Sequence, residues 1–436
     1  MLVDKNNLKN IGAAVSFYAK KQPDKPYIIS ITNETTYSYS QVDTLVNRVC
    51  FLYQTLGVRQ GDIISVVLKN DIEYVAMYLA SLRYGAVFNP YPYSLDAKDI
   101  VRYLSILNPR IVFCQKQHYE ELKTIGQYDI FLIEDSFFEN TVSSAQPYED
   151  FDPAIDSPAC IYYSSGTTGN PKNIIFSFRN MAVNISSVVR GFGIKGKDIH
   201  LIILPLGHTA SINYSFLPCT LCGATIILAE SFWKIRSKFW SLIKKYKVTY
   251  VELVPSILFS LLSTPYSKEE YLGIDSLRFI GCGSSTLPRD RQIQFIKKYG
   301  IKVANLYGLS ETGPTHIDDP SIKDWEPGSI GVPLDVNEVK IMNENGAFVG
   351  TGEIGEIVIK GENVFIGYYG NQALYDQTVR NGYFHSGDLG YIDEKGKHFF
   401  VGRKKELIIK GGVNIAPDEI DEILYKMSEV AEAITV

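Results

Sequence analysis

The sequence predicts an α/β fold, with layered, largely parallel sheets between helices and a smaller β-rich subdomain after them. Three observations carry this. Short β-branched runs alternate with longer amphipathic ones over residues 27–115, the signature of β-α units on a parallel sheet. The alternation continues through strand-like runs at Ala159–Tyr163, Ile174–Ser177, Leu201–Leu204, Ala224–Leu228, Val248–Leu253, Leu277–Ile280 and Lys302–Leu306. After about residue 325 the texture changes to short alternating strands with Gly and Asn turns, as in Val336–Met342 and Gly355–Lys360.

Local signals place the first elements. Ser40, three residues before Asp43, reads as the cap of a helix that stops at Gly57. Ile63–Leu68 then reads as a strand, Asn70 as the next cap, and Ile72–Arg83 as a helix stopped by Gly85. The apolar run Phe216–Ala229 is broken by Pro218 and Gly223 and is too short to span a membrane, so it reads as a buried helix and strand. There is no internal repeat or low-complexity segment.

Composition narrows the function. A chain of 436 residues that is 45% hydrophobic and 21% charged has ample material for more than one packed core. The net charge of −5, with lysines scattered among acids, gives no basic stripe for a nucleic-acid backbone. The first residues lack the pattern of a secretory signal, so a cytoplasmic location with no membrane partner is expected. Six cysteines lie mostly in apolar stretches and read as reduced packing residues; Cys219 and Cys222 form an isolated C-x-x-C pair without zinc-spaced partners.

The chemistry concentrates in the segment Tyr162-Tyr163-Ser164-Ser165-Gly166-Thr167-Thr168-Gly169-Asn170-Pro171-Lys172, which follows a strand. Gly166 and Gly169 let backbone N–H groups converge on an anion, the hydroxyls of Ser164, Ser165, Thr167 and Thr168 add donors, and Lys172 adds positive charge. The spacing is not that of the Walker loop, and a plain surface loop is the other reading, because Ser, Thr and Gly are common turn residues. Other segments suit a nucleotide. The ring of Tyr307 could stack on adenine or simply fill the core, and Asn305 with the backbone near Gly283 and Ser284 could meet the base edge. Glu311 could hold Mg²⁺ and Ser310 an α-phosphate, or the pair could cap a helix. Asp388, following a glycine, could accept from two ribose hydroxyls or make an Asx turn; Arg403 could contact ribose or phosphate, or a surface acid.

The phosphate-loop string resembles that of the AMP-forming adenylate superfamily, which includes acyl-CoA synthetases, peptide-synthetase adenylation domains and beetle luciferases. Further motifs match in the family's order over nearly the whole chain: Tyr307-Gly308-Leu309-Ser310-Glu311, the segment Tyr383–Asp393 with Ser386-Gly387-Asp388, and Gly402-Arg403-Lys404-Lys405-Glu406 with Lys410-Gly411-Gly412. The resemblance implies a large nucleotide-binding domain over residues 1–402, with its β-rich part at about 325–400, and a hinge opening a small α+β domain at 403–436. It implies a ligase that activates a carboxylic acid with ATP and Mg²⁺, releases pyrophosphate, and passes the acyl group to coenzyme A or to the phosphopantetheine arm of an acyl or peptidyl carrier protein. Lys405 matches the family's pivot, and Lys410 and Gly411 its thioester-step loop.

The small domain is expected to be incomplete, without the family's lysine that contacts the α-phosphate and substrate carboxylate. That leaves full activity in doubt and a non-catalytic nucleotide- or acyl-adenylate-binding module as the alternative. Asn173 stands where the family usually has glycine. For the acyl pocket the resemblance points to His208, Gly281 and Gly283, the glycines leaving room for substrate; His208 reads as a gate or as a capping or packing residue. No aspartate stands where peptide-synthetase domains hold an α-ammonium, which favours a simple aromatic or aliphatic acid. Glu252, in an apolar strand, is either an exposed strand-end carboxylate or a partner for a polar or cationic substrate group.

Overall fold

Parallel strands covered by helices on both faces must bury every residue, and that pattern identifies the core here. The computed structural model describes residues 10–124, 128–133, 148–149, 151–164, 172–410 and 413–425, with 427, 430, 433 and 435. The chain forms two compact units, one of Met1–Arg236 with Phe365–Leu374, the other of Ser237–Val364 with Tyr375–Val436.

The first unit contains β1 (Pro26–Ser30), β2 (Thr35–Ser38), β3 (Ile63–Val67), β4 (Val87–Pro90), β5 (Ile111–Cys114), β6 (Asp129–Leu132), β7 (Pro158–Ser164), β8 (Lys172–Ser177), β9 (Ile199–Ile202) and β10 (Thr225–Leu228). Strands β9, β10 and β1 are parallel neighbours, with β2 antiparallel on β1. A second sheet runs β8-β7-β4-β3-β5-β6, parallel from β7 to β6, and the short strand Gly367–Tyr368 adds antiparallel outside β8. In the second unit β11 (Tyr250–Leu253), β12 (Phe279–Gly283) and β13 (Val303–Leu306) are parallel neighbours. All residues of β4, β5 and β10 to β13 are buried. Each fully buried Val, Leu or Ile among them stabilises the fold by about 1.5–3 kcal/mol. The later strands Asn337–Met342, Gly355–Gly361 and Tyr383–Ile392 form an antiparallel sheet, with Val379–Arg380 and His398–Arg403 both on the last. This is the α/β architecture with a β-rich part that the sequence predicts.

Two caps fall elsewhere than the sequence suggests. The helix Tyr39–Thr55 is capped by Ser38, whose hydroxyl accepts from the Gln41 N–H at 3.3 Å while Gln41 Oε1 accepts from the Ser38 N–H at 2.8 Å. This reciprocal box needs a side chain that reaches back from N3, which Gln41 supplies; Ser40 instead donates to the Pro23 carbonyl at 3.0 Å. Helix Ile72–Tyr84 is capped by Asp71, accepting from the Ile72 N–H at 2.8 Å, and it ends on Gly85 at φ 83° as expected.

The run from Ile212 folds as a π-helix to Phe216, a helix Leu217–Cys222 and then β10. All six cysteines are free thiols, and burial pushes that of Cys222 up to about 12. Among the described residues no group of three or more His, Cys, Asp or Glu could hold a metal, and no helix is long and apolar enough to cross a membrane. Ser38→Ala should lower the stability of the first unit by about 1 kcal/mol, and Ser40→Ala by less than half that, read as midpoint shifts in denaturant unfolding. The reverse order would return the cap to Ser40.

Candidate active site

Ser164 ends β7 and Lys172 begins β8, facing each other across the antiparallel pair. The two strands therefore present both ends of the phosphate-loop string side by side. Ser165, Gly166, Thr167, Thr168 and Gly169 lie outside the described residues. The Lys172 ammonium sits 5.3 Å from the centroid of the Tyr368 ring, which belongs to the strand paired with β8. Asn173 lies within extended β8 opposite Tyr163 and has no positive φ, so the left-handed conformation that glycine would allow is not used. Its side chain is buried, with neither amide atom hydrogen-bonded.

His208 is the residue before the short helix Thr209–Ser211 but makes no capping hydrogen bond, so the capping reading does not hold. His208 is exposed, and the protein packed around its ring lowers its pKa by desolvation. Its loop is anchored by Asn70, which donates to the carbonyls of Leu204 at 2.8 Å and Ala229 at 3.2 Å and accepts from the Leu206 N–H at 2.7 Å. The residue expected to cap a helix thus holds the His208 loop. Gly207 is required there, because a Cβ would come within 2.7 Å of Pro92 backbone atoms.

In the second unit the nucleotide-motif residues converge. Tyr307 follows β13, and its hydroxyl donates to Asp388 Oδ2 at 2.8 Å. Asp388 lies on the strand Tyr383–Ile392, not in a loop, directly opposite Arg403, whose Nε is 3.4 Å from Oδ1. Gly387, at φ 74°, sits where this strand shifts register against Gly355–Gly361, and Ser386 fixes the turn by donating to the Ile357 carbonyl at 2.6 Å. Asp388 is buried while Arg403 is half-exposed. Burial raises the Asp388 pKa to about 6, with the Tyr307 hydrogen bond and the Arg403 charge acting against the rise. The Tyr307 ring packs edge-on against His316, centroids 5.1 Å apart at 82°. Its sequence reading gave only stacking or core packing; the hydroxyl contact to Asp388 adds another role.

Ser310, Glu311 and Thr312 form the turn between the short paired strands Gly308–Leu309 and Gly313–Pro314, so helix capping is excluded for the Ser-Glu pair. Glu311 is buried to the edge of the surface. A single carboxylate fits Mg²⁺, which takes most of its ligands from phosphate and water, better than it fits a metal held by protein alone. Asn305 spends one amide proton on the Ser329 carbonyl at 2.9 Å, and its backbone N–H donates to Asp318 Oδ2 at 2.8 Å. Asp318 also accepts from Trp325 Nε1 at 2.6 Å, and burial raises its pKa to about 7. Nothing in the sequence singled out Asp318, because its partners are a backbone amide and an indole that no shared helix or strand places beside it.

Gly281 and Gly283 are needed for a different reason from the one their positions suggest. A Cβ on Gly281 would lie 2.3 Å from the Tyr250 hydroxyl, and one on Gly283 2.5 Å from the Leu306 carbonyl. The chain's own β11 and β13 fill the adjoining space, which corrects the expectation that these glycines make room for substrate. Ser284, exposed just beyond β12, adopts φ 67°, a conformation uncommon outside glycine. Glu252 is buried opposite Gly281, not exposed at a strand end. Burial raises its pKa to about 8, and its Oε2 has no hydrogen-bond partner. Lys405 is exposed in the turn Lys404–Glu406, and Lys410 ends the strand Ile408–Lys410; Gly411 lies outside the described residues.

A family model described as AMP-binding enzyme matches residues 16–369, and the chain belongs to that family. The sulfoacetate–CoA ligase of Cupriavidus necator is 29% identical over 441 residues, covering 98% of this chain and 84% of that protein. 4-Coumarate–CoA ligase 3 of Arabidopsis thaliana is 27% identical over 437 residues, covering 95% and 77%. Among solved structures, ATP-bound MatB from Rhodopseudomonas palustris matches with a TM-score of 0.90 at 26% identity, covering 98% of this chain and 85% of that one. The relatives are CoA ligases and the structural neighbours adenylate-forming enzymes, which places this chain among the acid-activating ligases.

The unsatisfied carboxamide of Asn173 yields a stability test. A buried amide without partners costs about 1–3 kcal/mol, so Asn173→Leu should raise the thermal midpoint by a few °C. A lower midpoint would show that the amide is partnered in solution.

Proposed function

We propose that this chain condenses ATP with the carboxylate of a small organic acid, releases pyrophosphate, and transfers the acyl group to the thiol of coenzyme A. The observation that carries this reading is the Asp388 carboxylate, buried but held by Tyr307 and Arg403 in a form that can accept from vicinal hydroxyls. Tyr307 and Asn305 would meet adenine, Asp388 and Arg403 the ribose. Ser164 and Lys172, with the loop between them, and Ser310 would bind the phosphates. Glu311 would hold Mg²⁺, which when bound neutralises triphosphate charge.

A carboxylate oxygen of the acid attacks the α-phosphorus, the bond to the β-phosphate oxygen breaks, and pyrophosphate departs. The thiolate sulfur then attacks the acyl carbon, and the bond to the AMP oxygen breaks. Both steps depend on positioning and charge stabilisation rather than on a protein nucleophile. Lys405 would be the pivot between the steps and Lys410 part of the thioester-step loop. A carrier-borne phosphopantetheine is the same nucleophile, but the names of the relatives favour coenzyme A.

His208 is the acyl-pocket residue in this reading. No aspartate stands near its segment to hold an α-ammonium, which favours a simple acid. Pyrophosphate release measured across aromatic, aliphatic and amino acids should respond to one class of simple acid; a response confined to α-amino acids would refute the substrate class.

The ribose assignment has a pH test. With its pKa raised to about 6, Asp388 is ionised at pH 7.5 and gains a proton as pH falls through 6. Its acceptor strength falls in the same interval. The Kd for AMP should therefore rise roughly tenfold between pH 7 and pH 5, and Asp388→Asn should bind weakly with little pH dependence. Because the raised pKa means that ionisation opposes folding above the unfolded value, Asp388→Asn without ligand should also melt higher than the parent at pH 7. Calorimetric titration and thermal melts check both; a variant with parental affinity removes the ribose role.

A further inference from the structure

We infer that His316 and His398 form a buried positioning pair that fixes the Tyr307 segment against the strand pair carrying Asp388 and Arg403. The inference rests on the nucleotide reading above and deepens it. His316 Nε2 and His398 Nδ1 are 3.0 Å apart, with ring centroids at 4.9 Å and 62°. Each histidine belongs to a different arm of the candidate site. On one side, Thr315 Oγ1 lies 2.9 Å from His316 Nδ1 and the Thr315 N–H donates to the Tyr307 carbonyl at 3.1 Å. On the other, His398 begins the strand that ends at Arg403, and it faces Ile392 on the strand that carries Asp388. The Tyr307–Asp388 hydrogen bond then closes a ring of contacts, with the histidine pair at one end and the ribose carboxylate at the other.

Histidine does here what phenylalanine of similar shape would not. Apolar rings pack with a broad choice of orientation, whereas the imidazole hydrogen bond fixes both ring planes, and His316 in turn sets the edge-on contact with Tyr307. The backbone supports the same end: the His398 carbonyl accepts from Ser329 Oγ at 3.1 Å, and Asn305 donates to the Ser329 carbonyl. Thr315 has one hydroxyl proton, so two hydrogen-bond chains are available. Either it donates to His316 Nδ1 and His316 Nε2–H donates onward, or His316 Nδ1–H donates to it and His398 Nδ1–H donates back. Both chains use neutral rings. Burial favours that state, lowering the His398 pKa to about 4 and that of His316 well below its ordinary value.

Asn places an amide near the Nδ1 position and Gln near Nε2, so the pair can be broken and restored chemically. His316→Phe and His398→Phe should each raise the Kd for AMP about tenfold at temperatures where the chains remain folded, and should speed hydrogen exchange of the backbone amides at 386–391. His316→Gln and His398→Asn should stay within threefold of the parent in affinity and near it in exchange. Parental affinity and parental exchange in both Phe variants would overturn the inference, as would equal losses in the amide-bearing variants. Asp388→Ala, measured alongside, separates the two readings: its affinity for AMP decides the nucleotide assignment, whereas the exchange rates decide the pairing without reference to nucleotide.

Discussion

A carboxylate taken out of water is the constraint around which the second unit is arranged. Moving an ionised Asp388 into the interior would cost several kcal/mol unaided. The Tyr307 hydroxyl and the Arg403 guanidinium offset part of that cost, and the pKa of about 6 records the balance. The group remains ionised at neutral pH without being fully satisfied, which is the state in which hydroxyls of a ligand gain most by donating to it. Keeping Tyr307 and Arg403 in place requires both the register of Asp388 opposite Arg403 and the left-handed Gly387 that reorients the strand.

Within each unit the other candidate residues fall at strand ends, because strands buried on both faces leave only their ends open. β7 stops at Ser164 and β8 starts at Lys172; Ser284 follows β12 and Tyr307 follows β13. The connecting segments are held by buried polar side chains rather than by regular structure. Asn70 does this for the His208 loop, and Asn363 does it for the Ser310–Glu311 turn by donating to the Thr312 carbonyl at 2.9 Å. Such anchors fix the backbone of segments that have no regular structure of their own.

The sequence made most of the framework legible, because a buried strand writes itself as a contiguous apolar run: the run read at Ala159–Tyr163 falls one residue short of β7 at each end, and that at Lys302–Leu306 starts one residue before β13. Motif spacing likewise singled out Ser164, Lys172, Glu311 and Asp388 as candidates. What stayed hidden depended on partners distant in sequence. Asn70 looked like a cap because caps are local, but its partners lie beyond residue 200. Glu252 looked exposed because isolated buried charges are costly, and the structure resolves that conflict by raising its pKa until the charge is lost. The His316–His398 link joins residues separated by 82 positions and has no periodicity to reveal it.

Glu252 and Asp388 together show how one chemical group can serve two purposes. Both are buried, but Asp388 receives a hydrogen bond and faces a cation, whereas Glu252 Oε2 has no partner and the group's pKa rises to about 8. Asp388 is therefore an anionic acceptor at neutral pH and Glu252 a neutral acid with a proton to donate. The two side chains are buried to a similar depth, so the difference lies in what faces them: a hydroxyl and a guanidinium keep one carboxyl charged, and their absence at Glu252 Oε2 leaves desolvation to favour the protonated form of the other.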